Sequence, residues 1–526
     1  MESRLEAVHR GVTRPQPDSL FPLARSICAA KLLSVPTRPR RLTRIAILPA
    51  LLLLAAASCF AASSPALNEA ARLADGGDFA KAESTLTEAL KKERSEAQRR
   101  VLDFERERLL RIRKDYKLTK PELFSALTNA VRDLTETEFE EWLREGRFDS
   151  RVIDGVRRFV GTSLSNLFFR HPALNARRIK ARSLEKTDQA FLKNALAIQS
   201  AARREGKPYV LPKRFRVTMT VTVKSNAVAP GETIRAWLPV PRRYPYQDQF
   251  EWLGSAPPLL NLSAPTSSIR SAYIEQVALT NAPTAFRVDY AYTAHGVWFD
   301  PQPDRVTAAD LKDPELKRFT AEGPHVVFTG RMRALSSELT GAETNAMLKA
   351  RRLYDWISEH IRYSFAREYS TLGNLSDYCL TNGYGDCGQE ALLFITLCRL
   401  NGIPARWQSG WNLFPGEENI HDWCEIYLAP YGWMPVDPYM GIHARQYAVA
   451  LTADQKEALR SFYFGGLTQY RMIANSDHNQ TLEPAKAAHR SDDVDFQRGE
   501  LEAGGRNLYF DQFNYRLSRE EVSPEP

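Results

Sequence analysis

Phe215, Val217, Met219, Val221 and Val223 alternate with Arg216, Thr218, Thr220 and Thr222. A period of two with β-branched residues predicts a half-buried strand. The segments "TIRAWLPVP" and "AFRVDYAYTA" predict further strands, so a β-rich middle domain is expected over 207–300. Upstream the period is helical. "LNEAARLADGGDFAKAESTLTEAL" has apolar residues at helical spacing on both sides of Gly76-Gly77-Asp78, which predicts a helix pair. Glu88–Lys114, Pro121–Leu143 and Val152–Phe169 read as further helices, which makes 64–206 an α-helical N-terminal region. Downstream, "LKARRLYDWISEHI" predicts a helix, and Ala391–Leu400 is apolar nearly all round, as a buried helix should be. The strands "HDWCEIYLAP" and "GWMPVDP" follow, so 301–450 reads as an α+β domain. Residues 451–526 mix a short helix with aromatic runs and are expected to pack on that core. The chain is thus multidomain.

Composition changes this picture little. The chain has 526 residues with 43% hydrophobic and 25% charged, ordinary globular values. Its net charge of +8 is spread through mixed Lys/Arg and Asp/Glu sequence, which predicts solvated helix faces and no nucleic-acid partner. Six cysteines at irregular spacing do not make a disulfide framework. The N-terminus does change the picture. "RPRRLTRIAILPALLLLAAASCFAASS" runs basic, apolar, then small, the order of an export signal. Residues 1–63 are therefore expected to be an N-terminal extension and signal or anchor segment, and the protein exported to a periplasmic or extracellular space. Membrane contact is expected only through this segment or through a lipid at Cys59. Cleavage, lipidation and retention as an anchor all remain open.

The candidate chemistry lies in "GYGDCGQEALLFITLCRLNGIPAR". Gly385 permits a turn, Asp386 is a good helix N-cap, and Cys387 falls at the first helical position. There, unpaired backbone N–H groups and the positive helix end favour a thiolate and can hold an oxyanion. Alone, the cysteine reads rather as a small core residue, the reading kept for Cys398 and Cys424. A nucleophile needs a base, and the base an orienting group. His421 opens one strand and Asp437 ends the next. Leu428 opposite Trp433 would put the two on opposite faces; a register shifted by one would put them together. Cys379, in the loop before the helix, is near enough in sequence to pair with Cys387. A metal site built from His421, Asp422, Cys424, Glu425, Asp437 and His443 has no usual zinc spacing.

"GDCGQEALLFITLCRLNGIPAR" followed by "HDWCEIYLAPYGWMPVDP" resembles the transglutaminase-like core of the papain-type cysteine-nucleophile superfamily. "RLYDWISEHIRYSF" resembles the helix before that core, and "IRAWLPVP" more loosely the β-domain fused to bacterial members. The resemblance implies a papain-like catalytic domain with Cys387 as nucleophile, His421 as general base and acid, and Asp437 as orienting carboxylate. Asp422 stands where alanine is common and is expected to raise the imidazolium pKa. Tyr369 and Tyr363 are the oxyanion candidates, and Trp407, Trp411, Trp423 and Trp433 the candidates for lining a cleft. The implied reaction is amide hydrolysis through a thioester, with acyl transfer to an amine and a silent peptide-binding scaffold as alternatives. The expected partner is a peptide or protein amide substrate. No cofactor and no metal are expected.

Overall fold

The computed structural model describes residues 64–180 and 184–522, so the expected export segment, Cys28 and Cys59 lie outside the described residues. The chain divides into two compact units: 1–119 with 150–158, and 120–149 with 159–526.

In the first unit, α1 (Pro65–Asp75) and α2 (Phe79–Lys92) flank the Gly76-Gly77 turn, and α3 (Glu96–Asp115) follows. Their helical stripes bury Ala70, Leu73, Phe79, Ala82, Leu86, Leu102 and Leu109. The stretch expected to open a helix at Val152 instead forms a hairpin, β1 (Ser150–Ile153) and β2 (Val156–Phe159). The reason is local. Asp154 and Gly155 both take positive φ, +47° and +82°, the geometry a two-residue hairpin turn demands and Asp-Gly supplies.

The second unit begins with α4 (Lys120–Thr128) and α5 (Glu136–Arg144), expected as one helix. Asp133 turns left-handed between them, and the Thr135 hydroxyl accepts from Glu138 N to start the second (3.2 Å). Two more helices follow, α6 (Ser163–Arg170) and α7 (Glu185–Glu205). Then come β3 (Tyr209–Val223), β4 (Thr233–Pro239), β5 (Gln247–Ala256), β6 (Asn261–Leu262), β7 (Ser271–Val277) and β8 (Thr284–Trp298). The helices α8 (Pro314–Arg318), α9 (Gly330–Thr340) and α10 (Ala346–His360) lead to β9 (Arg362–Tyr363). Next are α11 (Leu375–Asn382), β10 (Tyr384–Gly385), α12 (Cys387–Leu400), β11 (Ala405–Asn412), β12 (Asn419–Leu428), β13 (Gly432–Val436) and α13 (Pro438–Ile442). The chain closes with α14 (Ala453–Phe462), β14 (Gly466–Leu467), β15 (Arg471–Asn475), β16 (Glu500–Ala503), β17 (Arg506–Leu508) and β18 (Phe513–Val522).

The strands of 207–300 do not close by themselves. They form two five-stranded sheets with late strands: β14–β8–β3–β18 with β5 on β8, and β17–β16–β4–β7–β6. β18 runs antiparallel along β3, from Phe513 opposite Val223 to Val522 opposite Arg214. The expected C-terminal extension is therefore divided: β15 joins the four-stranded sheet of β11–β13, while β14 and β16–β18 complete the β-domain. The alternation in β3 holds, with Phe215, Val217, Met219, Val221 and Val223 all buried. The four-stranded sheet has the order β13–β12–β11–β15, antiparallel throughout. Helix α12 is buried from Gly388 to Arg399, as its apolar circumference requires.

Candidate active site

Helix α12 starts with a capping box. The Asp386 carboxylate accepts from Gln389 N (3.1 Å), and the Gln389 side chain accepts from Asp386 N (3.3 Å). Cys387 is the first residue of the helix. Among the described residues the N–H groups of Cys387 and Gly388 have no hydrogen-bond partner, as the first turn of a helix leaves them. The parallel pair β9–β10 sets Tyr363 beside Gly385, two residues before the cysteine.

The turn between β12 and β13 fixes the base. Gly432, at φ +84°, lies opposite Leu428, and Trp433 lies opposite Tyr427. This is the register shifted by one, and it puts His421 and Asp437 on the same face. His421 Nε2 lies 2.8 Å from Asp437 Oδ2. The same oxygen accepts from Arg471 Nη2 on β15 (2.7 Å), and Asp437 Oδ1 accepts from Met440 N (3.1 Å). Asp437 is fully buried. Burial opposes its charge, yet His421 and Arg471 hold the carboxyl below the usual carboxylate range. Nε2, facing a carboxylate, carries the proton, and Nδ1 is left as the free base. Trp423 stacks on the imidazole (centroids 5.7 Å, 26°) and Tyr439 meets it edge-on (5.3 Å).

Cys387, His421 and Arg471 open on one cavity of about 560 Å³. Its aromatic wall comprises Phe168 and Phe169 of α6, Tyr363, Phe365, Tyr439 and Tyr447. Phe169 packs on Tyr363 (4.9 Å) and Tyr363 on Tyr439 (5.0 Å). His443 lines the same space, with Nε2 2.8 Å from Asp188 Oδ1.

The electrostatics at the thiol differ from the expectation. Cys387 Sγ donates to Asp422 Oδ2 (3.5 Å), not to His421. Burial first, then the Asp422 and Asp386 carboxyls, push the thiol well above its ordinary value. Asp422 is buried and is itself raised, by burial and by Asp386 and Asp492. Gln497 Nε2 holds its other oxygen (2.6 Å) and also the His421 carbonyl (2.9 Å). Burial lifts Asp386 to about 6. Asp422 does not raise the imidazolium: burial lowers the His421 pKa, against the pull of Asp437. On β12 the two side chains alternate, so Asp422 points to the thiol while His421 points to Asp437.

The other candidates separate. Tyr363 lines the cavity, its hydroxyl makes no hydrogen bond among the described residues, and its pKa is raised by burial and by the nearby Cys387. Tyr369 is committed: its hydroxyl donates to Asp386 Oδ1 (2.8 Å) and lies 3.3 Å from Asp422 Oδ2. A Cβ on Gly388 would stand 2.1 Å from that hydroxyl, so only glycine fits there. None of the four tryptophans lines the cavity. Trp407 and Trp423 are fully buried, Trp411 Nε1 donates to Gln497 O (3.0 Å), and Trp433 lies under Arg406 (4.1 Å). They sit on strands whose faces are already covered. Cys379 and Cys387 are free thiols, Cys379 fully buried. Among the described residues no group of three or more His, Cys, Asp or Glu side chains is arranged to hold a metal ion. Arg471, Gln497 and the α6 aromatics carry no sequence signal, since they lie far from the motif; Tyr439 does, two residues after Asp437.

Residues 333–438 match the sequence profile of the Transglutaminase-like superfamily, so the chain carries a transglutaminase-like domain. An uncharacterized protein of Haemophilus influenzae is 27% identical over 150 residues, 23% of this chain and 40% of its own length. The uncharacterized protein YebA of Bacillus subtilis is 26% identical over 130 residues, 21% of this chain and 18% of its own length. The chain thus spans less than half the length of either relative. Among solved structures, a proposed cysteine protease from Cytophaga hutchinsonii aligns over 60% of this chain and 93% of its own, with TM-score 0.40 and 16% identity. The periplasmic domain of TgpA from Pseudomonas aeruginosa aligns over 47% and 92%, with TM-score 0.23 and 16% identity.

Proposed function

We propose that the chain is an exported thiol enzyme that hydrolyses amide bonds through Cys387, His421 and Asp437. The observation that carries this reading is the buried Arg471–Asp437–His421 relay opening, with Cys387, on one aromatic-walled cleft. In the reaction, Cys387 turns from Asp422 and its proton passes to His421 Nδ1. Sγ bonds to the amide carbon, and the oxygen takes up charge beside the free N–H groups of Cys387 and Gly388 and the Tyr363 hydroxyl. The C–N bond breaks as His421 returns the proton to the leaving amine. Water, deprotonated by His421, then attacks the thioester; the acid leaves and the thiol is restored. Asp437 and Arg471 hold the ring and its charge.

The silent-scaffold alternative draws on one observation, the thiol bonded to a carboxyl and not to the base. The test is profiling with peptide-amide libraries, with and without a primary amine, beside alkylation by a thiol-directed electrophile. A hydrolase releases free acid and ammonia or amine, and Cys387 labels faster than Cys398. Amine incorporation as the main product would replace hydrolysis with acyl transfer. Labelling of Cys387 no faster than Cys398, with no turnover, would leave the scaffold.

A further inference from the structure

Away from the thiol, a cavity of about 200 Å³ is lined by Arg242, Arg243, Arg270, Asp248, Gln249 and neighbouring residues. Arg270 is 4% exposed and Arg242 9%. The buried Arg471 faces a carboxylate, Asp437 at 2.7 Å, and the half-buried Arg406 and Arg498 meet Glu425 at 2.7 Å and Glu368 at 2.6 Å, whereas the buried Arg399 donates to carbonyls, those of Ala405 (2.9 Å) and Ala321 (3.1 Å). Arg270 and Arg242 likewise face only neutral groups, and they do so side by side in one cavity lining. Arg270 Nη1 donates to Pro241 O (2.6 Å) and Nε to Ser263 O (3.4 Å), with the guanidinium over the Phe250 ring at 4.1 Å. Its Nη2 makes no hydrogen bond among the described residues. Arg242 donates to Ser267 O, to Thr266 O (2.8 Å) and to the Tyr244 hydroxyl (2.7 Å). The exposed Arg243 guanidinium has no hydrogen-bond or ion-pair partner among the described residues. Asp248, the single acid in the lining, lies against His295 (3.7 Å) and not against an arginine.

Carbonyls orient a guanidinium but do not balance its charge. A buried cation without a counter-ion is costly, several kcal/mol by general estimates of about that size. Burial and the charge of Arg242 push Arg270 down to about 10, the mark of an uncompensated pair. Three arginines against one carboxylate leave the lining with two excess positive charges (3 − 1). Guanidinium forks fixed by their own backbone match the oxygens of phosphate.

We propose that this cavity binds a dianionic phosphate group, with Arg270 and Arg242 as its fixed floor and Arg243 as the cation at its rim. The group is free inorganic phosphate or the head of a phosphomonoester. The site is separate from the thiol chemistry and does not depend on it.

The test is calorimetric titration of the full chain with inorganic phosphate, and in a second arm with glycerol 3-phosphate, at constant ionic strength set by sodium chloride. The expected result is saturable one-site binding to at least one of them. Binding by the ester alone assigns an esterified ligand, and equal binding assigns the phosphate group itself. Arg270→Met weakens it by about tenfold or more, and Arg243→Gln by about threefold to tenfold. Cys387→Ala binds as wild type, so loss of the enzyme reading leaves this one intact. Arg243 holds Pro265 O through its backbone N–H (2.8 Å), which Arg243→Gln keeps, so if Arg270→Met proves misfolded by circular dichroism, Arg243→Gln alone decides. No saturable heat in either arm, or wild-type binding by Arg243→Gln, overturns the proposal.

Discussion

Asp437 Oδ2 takes hydrogen bonds from two cationic or protonated partners, and that sharing sets what each single change should do. Cys387→Ala and His421→Ala should each abolish thioester formation with the fold kept, checked by mass spectrometry of trapped acyl-enzyme and by circular dichroism. Arg471→Met removes one charged hydrogen bond from the carboxylate, worth about 1.5–3 kcal/mol, so kcat/KM should fall about ten- to hundredfold. Wild-type turnover in that variant would detach Arg471 from the relay. Asp422 works in the opposite sense. Its carboxyl helps raise the Cys387 thiol, after burial. Asp422→Asn should therefore move the midpoint of Cys387 alkylation to lower pH, and an unmoved midpoint would show burial alone to be in control. His421 acts as a base only while neutral, and burial lowers its pKa from the ordinary histidine value. The acid limb of kcat/KM should lie below about 6.5. The linkage has the same sign: the unfolded histidine binds protons first, so the fold loses stability as pH falls from that value towards the lowered one.

At the scale of elements, the first turn of α12 and the β12–β13 turn carry the site. Gly388→Ala puts a methyl group 2.1 Å from the Tyr369 hydroxyl and 2.8 Å from Asp422 Oδ2. Both atoms belong to a buried hydrogen-bonded set, so they cannot swing away freely. Overpacking of this kind costs about 1–3 kcal/mol, and urea unfolding of Gly388→Ala should show a loss of that size. The helix itself was legible: "GDCGQEALLFITLC" carries its N-cap, its capping residue and its apolar body in fourteen consecutive residues. The pairing of His421 with Asp437 was not. One residue of register reverses the face of every side chain on a strand, and the local sequence allows either turn. The hairpin at 150–159 was legible in Asp154-Gly155 but was masked by a helical spacing of apolar residues around it.

At the scale of the molecule, strands distant in sequence complete the sheets. Removing residues 513–522 would bare the whole edge of β3 from Arg214 to Val223. Exposed edges pair with other chains, so the truncated protein should unfold at lower urea and aggregate, read by light scattering. Retained monomer stability would show β18 to be an ornament to the sheet. The sequence by itself determined the chemistry on offer. A cysteine at a helix start, a histidine at a strand start and an aspartate before a proline are set by short-range rules of capping, period and turn, and short-range rules can be read along the chain. Only the tertiary structure decided what surrounds them. Arg471 reaches Asp437 from 34 residues on, Gln497 reaches Asp422 from 75, and the α6 aromatics wall the cleft from more than two hundred residues before the thiol. The same packing raised the Cys387 thiol, through burial and the nearby Asp422 and Asp386 carboxyls, and left the tryptophans outside the cleft lining, and burial is a property of the folded whole.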